Sequence, residues 1–195
     1  MARLEAYAGL LIKWQSRINL IGPRTIPDLW TRHFWDSAQL VDHIPKDART
    51  LIDLGSGAGF PGLVLAILSE LETHLIESDT RKAAFLREAA RIAGVSDRVV
   101  VHASRAESVD LPVADVISAR ALAPLIDLLP LVEPFWGSAT LGLFPKGKRY
   151  KEELTDSNYV WYINYDAIPS RSDADSVLLK ITGLARKDRA DQRDG

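Results

Sequence analysis

The segment Leu51-Ile52-Asp53-Leu54 runs directly into Gly55-Ser56-Gly57-Ala58-Gly59-Phe60-Pro61-Gly62, and an apolar stretch through Leu63, Val64, Ala66 and Ile67 follows. A short strand, a glycine turn and a helix in that order put a tight bend at a strand's carboxyl end, where a ligand can approach the backbone closely. Pro61 suits the first turn of a helix, where a missing amide proton costs little. Two cofactor classes fit this loop. Gly57, Gly59 and Gly62 satisfy G-x-G-x-x-G, the dinucleotide pattern, which alone discriminates weakly. Asp53 weighs against that reading. An anion at the strand's end repels a pyrophosphate and attracts the cationic methionine end of S-adenosylmethionine, directly or through water. Electrostatics favours the methyl donor.

The rest of the chain repeats the strand–helix alternation. His74 to Glu77 reads as a second strand, about Arg81 to Ala93 as a helix stopped by Gly94, and Val99 to His102 as a third strand. Asp115 to Ser118 and Thr140 to Phe144 continue it, separated by an apolar segment around Leu125 to Val132. Tyr159 to Ile163 and Val177 to Ile181 flank a polar turn and read as a hairpin. The expected fold is α/β: a Rossmann-like class I methyltransferase with a mainly parallel seven-stranded sheet and an antiparallel C-terminal hairpin. Ahead of it, Leu4, Tyr7, Leu11, Trp14 and Ile18 recur at helical spacing. A second helix is expected over Leu29 to Val41, ending before Pro45. These assignments divide the chain into a helical extension (1–48), the methyltransferase domain (49–185) and a charged, disordered tail (186–195).

Composition narrows the chemistry. Among 195 residues there is no cysteine, which excludes disulfides, thiolate metal sites and a covalent cysteine mechanism. No stretch reaches the apolar length of a membrane span, and the N-terminus shows no signal-peptide pattern. The expectation is a cytoplasmic protein acting as a monomer. Its net charge of -2 gives no global attraction to nucleic acid, so RNA binding calls for a local patch.

Glu77, ending the second strand about twenty residues beyond the loop, suits a carboxylate accepting from both ribose hydroxyls. Ala106-Glu107 follows the third strand, where a backbone amide can read an adenine edge. Together with Asn19-Leu20, Arg32-His33-x-x-Asp36-Ser37, Gly59-Phe60-Pro61-Gly62, Arg120-Ala121-x-Ala123 and Lys146-Gly147 followed by Glu152 or Glu153, these residues resemble the bacterial small-subunit ribosomal RNA guanine-N7 methyltransferase family, also called the glucose-inhibited division protein B family. The resemblance runs from about Trp14 to Ile181. It implies S-adenosylmethionine as cofactor and a guanosine of 16S ribosomal RNA, free or in an assembling small subunit, as substrate. Its cofactor contacts fall on Gly55, Phe60, Ala106, Glu107 and Arg120. With the loop reading, the expected cofactor set becomes Asp53, Gly55, Ser56, Gly57, Gly59, Phe60, Glu77, Ala106, Glu107 and Arg120. Family members carry about one more helix before Leu4, a departure that bears on RNA affinity more than on cofactor binding. The alternatives are a methyltransferase of another RNA or a small molecule, and a non-catalytic ribosome-binding module.

Guanine N7 carries an in-plane lone pair and needs no base to remove a proton. Arg120 and Lys146 are therefore expected to orient and stabilise rather than to take a proton. Arg32, His33, Lys146, Lys148 and Arg149 form the expected substrate set, with the Arg32–Ser37 helix over the pocket mouth and the cations on phosphate or base. Trp14, Trp30 and Trp35 read mainly as core anchors of the extension.

Overall fold

The computed structural model describes residues 1–187. Seven strands, β1 (Thr50–Leu54), β2 (Glu72–Ile76), β3 (Val99–His102), β4 (Val116–Ala119), β5 (Leu141–Lys146), β6 (Trp161–Pro169) and β7 (Val177–Arg186), form one sheet. Its order is β3-β2-β1-β4-β5-β7-β6. The first five pair in parallel, and β7 lies antiparallel between β5 and β6. Every residue of β4, and β1 from Leu51 onward, is buried. That is why these strands read as short apolar runs rather than as alternating ones.

Helices cover both faces. On one side α3 (Gly62–Leu68) and α4 (Thr80–Ile92) pack through Leu63, Val64, Phe85 and Leu86. On the other, α5 (Leu125–Val132) and α6 (Tyr150–Ser157) pack through Leu125, Leu128, Leu129 and Leu154 against Ile52, Leu54 and Ile117. Asp79 caps α4, its carboxylate accepting from the amides of Arg81 (2.8 Å) and Lys82 (3.2 Å). The chain leaves β1 towards β2 and later returns to pair β4 on its other edge. Such a reversal opens a crevice at the strands' carboxyl ends.

The N-terminal helix α1 (Ala2–Gln15) buries Leu4, Tyr7 and Leu11 in the same cluster as Phe60, Phe85 and Leu86. Positions 1–48 thus share a core with the sheet domain instead of standing beside it. The second helix is not uniform. It runs as a π-turn over Trp30–Trp35, α2 (Asp36–Ala38) and a 3₁₀ turn over Gln39–His43. The wide turn lies where the helix takes a bond from outside, Arg32 O accepting from Arg120 Nη1 at 3.1 Å. Of the tryptophans, Trp14 behaves as expected, edge-on to Phe85 and bonded to Glu88 at 3.1 Å. Trp30 and Trp35 are 41% and 46% exposed, which corrects the reading of both as core anchors. The sequence also showed only a cationic stretch where α6 begins, and both strands of the hairpin run longer than expected. The expected tail starts inside β7, whose last residue is Arg186, and positions 188–195 lie outside the described residues.

Candidate active site

Two cavities meet at the carboxyl ends of β1 and β4. The first, about 500 Å³, is lined by Gly55, Ser56, Gly57, Phe60, Glu77, Ala106 and Glu107, among others. The second, about 660 Å³, is lined by Arg32, Asp36, Lys146, Glu153 and the turn between β6 and β7. His33, Arg120, Ala121 and Leu122 line both and form their common wall.

The loop's glycines have different tasks. Gly57 has φ +55°, and a Cβ built there meets nothing closer than Gly55 O at 3.7 Å, so the position faces open cavity. At Gly59 a Cβ would come within 2.6 Å of the Tyr7 hydroxyl. Gly59 is absent from the cavity lining, and its expected ligand contact is corrected to a packing role: it lets α1 close on the loop. Asp53 is likewise corrected. It is fully buried, its Oδ1 accepting from Ser118 Oγ at 2.6 Å, and it lies against Gly62 behind the loop. Direct contact with a ligand is closed to it. Burial lifts its pKa to about 6, against the lowering effect of the Ser118 bond. What Asp53 offers the cavity, when ionised, is a negative field from behind.

Glu77 holds the loop. Its Oε2 accepts from Gly57 N at 2.8 Å and its Oε1 from Asp79 N at 2.7 Å. A carboxylate oxygen has about two acceptor sites, so each retains about one for a hydroxyl in the cavity. Glu77→Ala is expected to weaken S-adenosylhomocysteine binding on the order of tenfold to a hundredfold, the range for a lost charged hydrogen bond. In titrations, the variant should also lose less than wild type when the 2′-hydroxyl is removed from the ligand. Equal losses would place Glu77 away from the ribose.

Arg120 is the best-anchored cation in the site. Nη1 donates to Asp36 Oδ2 at 3.0 Å and to Arg32 O at 3.1 Å, Nη2 donates to His33 Nδ1 at 2.7 Å, and the guanidinium stands 5.1 Å from the Phe60 ring centre. Arginine has only donors, which fixes the tautomer of His33. Nδ1 accepts, so Nε2 carries the proton and donates to Thr25 Oγ1 at 2.8 Å, which donates in turn to Gly22 O at 2.8 Å. Burial and then the Arg120 charge push the His33 pKa down to about 4.

From about pH 4 up to the ordinary 6.5, unfolded His33 binds a proton that folded His33 does not, so stability rises with pH through that window. Asp53 acts in the opposite sense, holding its proton in the folded state up to about pH 6. In His33→Asn, which keeps an acceptor for Arg120, only the Asp53 contribution of these two remains. The wild-type advantage in thermal midpoint should therefore grow between about pH 4.5 and 7. A constant difference would refute the buried neutral imidazole.

Lys146 lines the second cavity, donating to Glu153 Oε2 at 2.7 Å and to Ala123 O at 3.0 Å. Glu153 Oε2 also accepts from Leu125 N at 2.9 Å, tying the first turn of α5 to this pair. Lys148 and Arg149 line neither cavity and are exposed on the surface. Arg149 precedes α6 and pairs with Glu152 at 2.9 Å on the surface. Asp36 and Glu153 carried no assigned role in the sequence reading, yet they orient both central cations. Thr25 had no signal beyond the prolines around it.

A family model for rRNA small subunit methyltransferase G matches residues 1–171. The chain belongs to that family. A relative from Rhodospirillum centenum, a ribosomal RNA small subunit methyltransferase G, is 52% identical over 183 residues, covering 94% of this chain and 84% of its own. One from Rhodospirillum rubrum with the same name is 49% identical over 184 residues, covering 94% and 90%. Among solved structures, an S-adenosyl-L-methionine-dependent methyltransferase assigned in Methanococcus maripaludis shares the fold at TM-score 0.63 and 13% identity, covering 92% of this chain and 93% of its own. An O-methyltransferase from Bacillus cereus does so at TM-score 0.63 and 12% identity, with 91% of each chain covered. In this chain the Arg120–His33–Asp36 group sits where the two cavities touch.

Proposed function

We infer that the protein is an S-adenosylmethionine-dependent methyltransferase acting on N7 of a guanosine in 16S ribosomal RNA. The relatives named for small-subunit ribosomal RNA methylation support the substrate class. The observation that carries the chemistry is the shared wall of Arg120, His33, Ala121 and Leu122 between the two cavities. When bound, S-adenosylmethionine supplies an electrophilic methyl carbon on a sulfonium. The first cavity suits it: Gly57 leaves space that a side chain would fill, Glu77 presents acceptors, and the buried Asp53 sets a field favourable to a cation.

The wall shared by the two cavities suits a nucleophile that loses no proton. His33 Nδ1 is taken by Arg120, its Nε2 proton points to Thr25, and Tyr7 donates its hydroxyl to Ala58 O. None of these groups is placed to accept a substrate proton. Guanine N7 needs no such acceptor, whereas an exocyclic amine or a hydroxyl does. Arg120 and Lys146 then act by orientation and by interaction with O6 or a phosphate. A ribosomal substrate, the one the relatives' names give, supports a cytoplasmic setting. No helix among the described residues is long and apolar enough to cross a membrane.

The test is mass spectrometry of ribosomal RNA from cells lacking the protein. One N7-methylguanosine should be missing from the small-subunit RNA and should return when purified protein and S-adenosylmethionine are added to the subunits or their RNA. Restoration with a methyl group on an exocyclic amine would overturn the N7 assignment.

A further inference from the structure

The second cavity contains more charge than methyl transfer to N7 requires, and its charges are unequally matched. Arg120 pairs with Asp36 at 3.0 Å and Lys146 with Glu153 at 2.7 Å. Each of those two cations already has a carboxylate partner within the protein. Asp173, in the turn between β6 and β7, lines the same cavity and has no cationic side chain within ion-pair distance among the described residues. Its Oδ1 accepts from Asp175 N at 3.0 Å and its Oδ2 from Ser176 Oγ at 3.1 Å. These bonds, the Asp175 amide foremost, hold its pKa below the usual carboxylate range, with Arg32 adding to the effect. It is an ionised acceptor with about one vacant site on each oxygen.

The turn carrying Asp173 is fixed relative to Arg120. Asp36 binds Arg120 through Oδ2 and takes Ser172 Oγ on Oδ1 at 2.6 Å. Gln39 clamps the same turn, donating to Ser170 Oγ at 3.1 Å and accepting from Arg171 N at 2.8 Å. One carboxylate thus spaces the cation at the shared wall from the acceptor on the outer wall.

We propose that Asp173 selects the base: it accepts from N1–H and the 2-amino group of guanine, leaving the N7 and O6 edge to the Arg120 wall. The chemistry is selective because guanine alone of the four bases presents two adjacent donors on its Watson–Crick edge, and a carboxylate matches such a pair with two parallel bonds. Adenine and cytosine offer an acceptor there, and uracil offers one donor between two acceptors. Orientation follows from the same contact, because N7 lies on the edge of the purine remote from the 2-amino group. The proposal rests on the methyl-transfer reading and adds the residue that gives it base specificity.

The experiment uses small-subunit RNA carrying either guanosine or inosine at the methylated position. Inosine lacks only the 2-amino group and retains N7, O6 and N1–H. Wild-type kcat/KM should fall on the order of tenfold on the inosine RNA, as for one lost specific contact. Asp173→Asn keeps an acceptor for the Asp175 amide, so its thermal midpoint and S-adenosylhomocysteine affinity should match wild type. On guanosine RNA the variant should drop to the wild-type inosine value or below, because the N1–H contact weakens as well, and its guanosine-to-inosine ratio should fall to about one. Equal wild-type rates on both RNAs, or an unchanged guanosine-to-inosine ratio in Asp173→Asn, would overturn the assignment while leaving methyl transfer standing. Absence of methylation on the guanosine RNA would overturn both.

Discussion

Gly57→Val is expected to reduce S-adenosylhomocysteine affinity at least about a hundredfold, or ~2.7 kcal/mol, and to leave a cooperatively folded protein. The two halves of that expectation have separate causes. A Cβ at Gly57 meets only Gly55 O at 3.7 Å, so the valine branches enter the cavity instead of the core. The φ of +55° disfavours a β-branched residue by about 1–3 kcal/mol, which lowers the thermal midpoint without abolishing folding. It also disturbs the Gly57 amide that bonds Glu77 at 2.8 Å, so the loop and its carboxylate are affected together. Gly62→Ala is the control with the opposite profile. Its methyl would stand 2.5 Å from Asp53 Cβ and 2.6 Å from Oδ2, in a fully packed region. Overpacking there should cost about 1–3 kcal/mol or more of stability with little direct obstruction of the cavity. Calorimetric titration and thermal melts of both variants separate the effects. Wild-type affinity in Gly57→Val would remove the loop from the cofactor site.

The contrast between these two glycines marks how far the sequence could be read. That Leu51 to Gly62 forms a strand, turn and helix was evident, because glycine clusters and apolar runs are local signals. Which glycine faces a ligand was not, since Gly59 serves contacts with Tyr7, fifty-two positions away, and Gly62 serves Asp53. The same holds for charge. Lys146 and Arg149 look alike in a cationic stretch, but β5 carries Lys146 inward to Glu153 while α6 begins at Tyr150 and leaves Arg149 on the surface. Asp53 was rightly seen as an anion at the strand's end. Its burial behind the loop depends on Ser118 in the neighbouring strand, a pairing set only when β1 and β4 align. Strand existence is a short-range property, whereas the direction and partner of a polar side chain are tertiary ones.

Arg120→Ala should have the largest effect on the chemical step. The guanidinium is held by three separate bonds from the helical segment Arg32–Asp36 and lies over Phe60, so it is preorganised at the shared wall before any ligand arrives. Misplacing a reacting base by about 1 Å can cost on the order of a hundredfold in rate, and single-turnover methylation at saturating RNA and cofactor should fall by at least about that factor. Removal also leaves Asp36 without its ion pair in a largely buried position, and the thermal midpoint should drop with it. Arg120→Lys tests whether charge alone suffices. A lysine can restore a charge near Asp36 but not the planar fork that reaches His33 and Arg32 O together, so stability should recover more than rate. Across about pH 4 to 9, a span reaching from the lowered His33 value to beyond a typical imidazole titration, the wild-type single-turnover rate should show no limb that depends on His33. His33→Asn should leave the shape of that profile unchanged. A limb that disappears with His33 would make the imidazole a base and overturn the positioning role assigned to it, whereas a wild-type rate in Arg120→Ala would move the reacting base away from the shared wall.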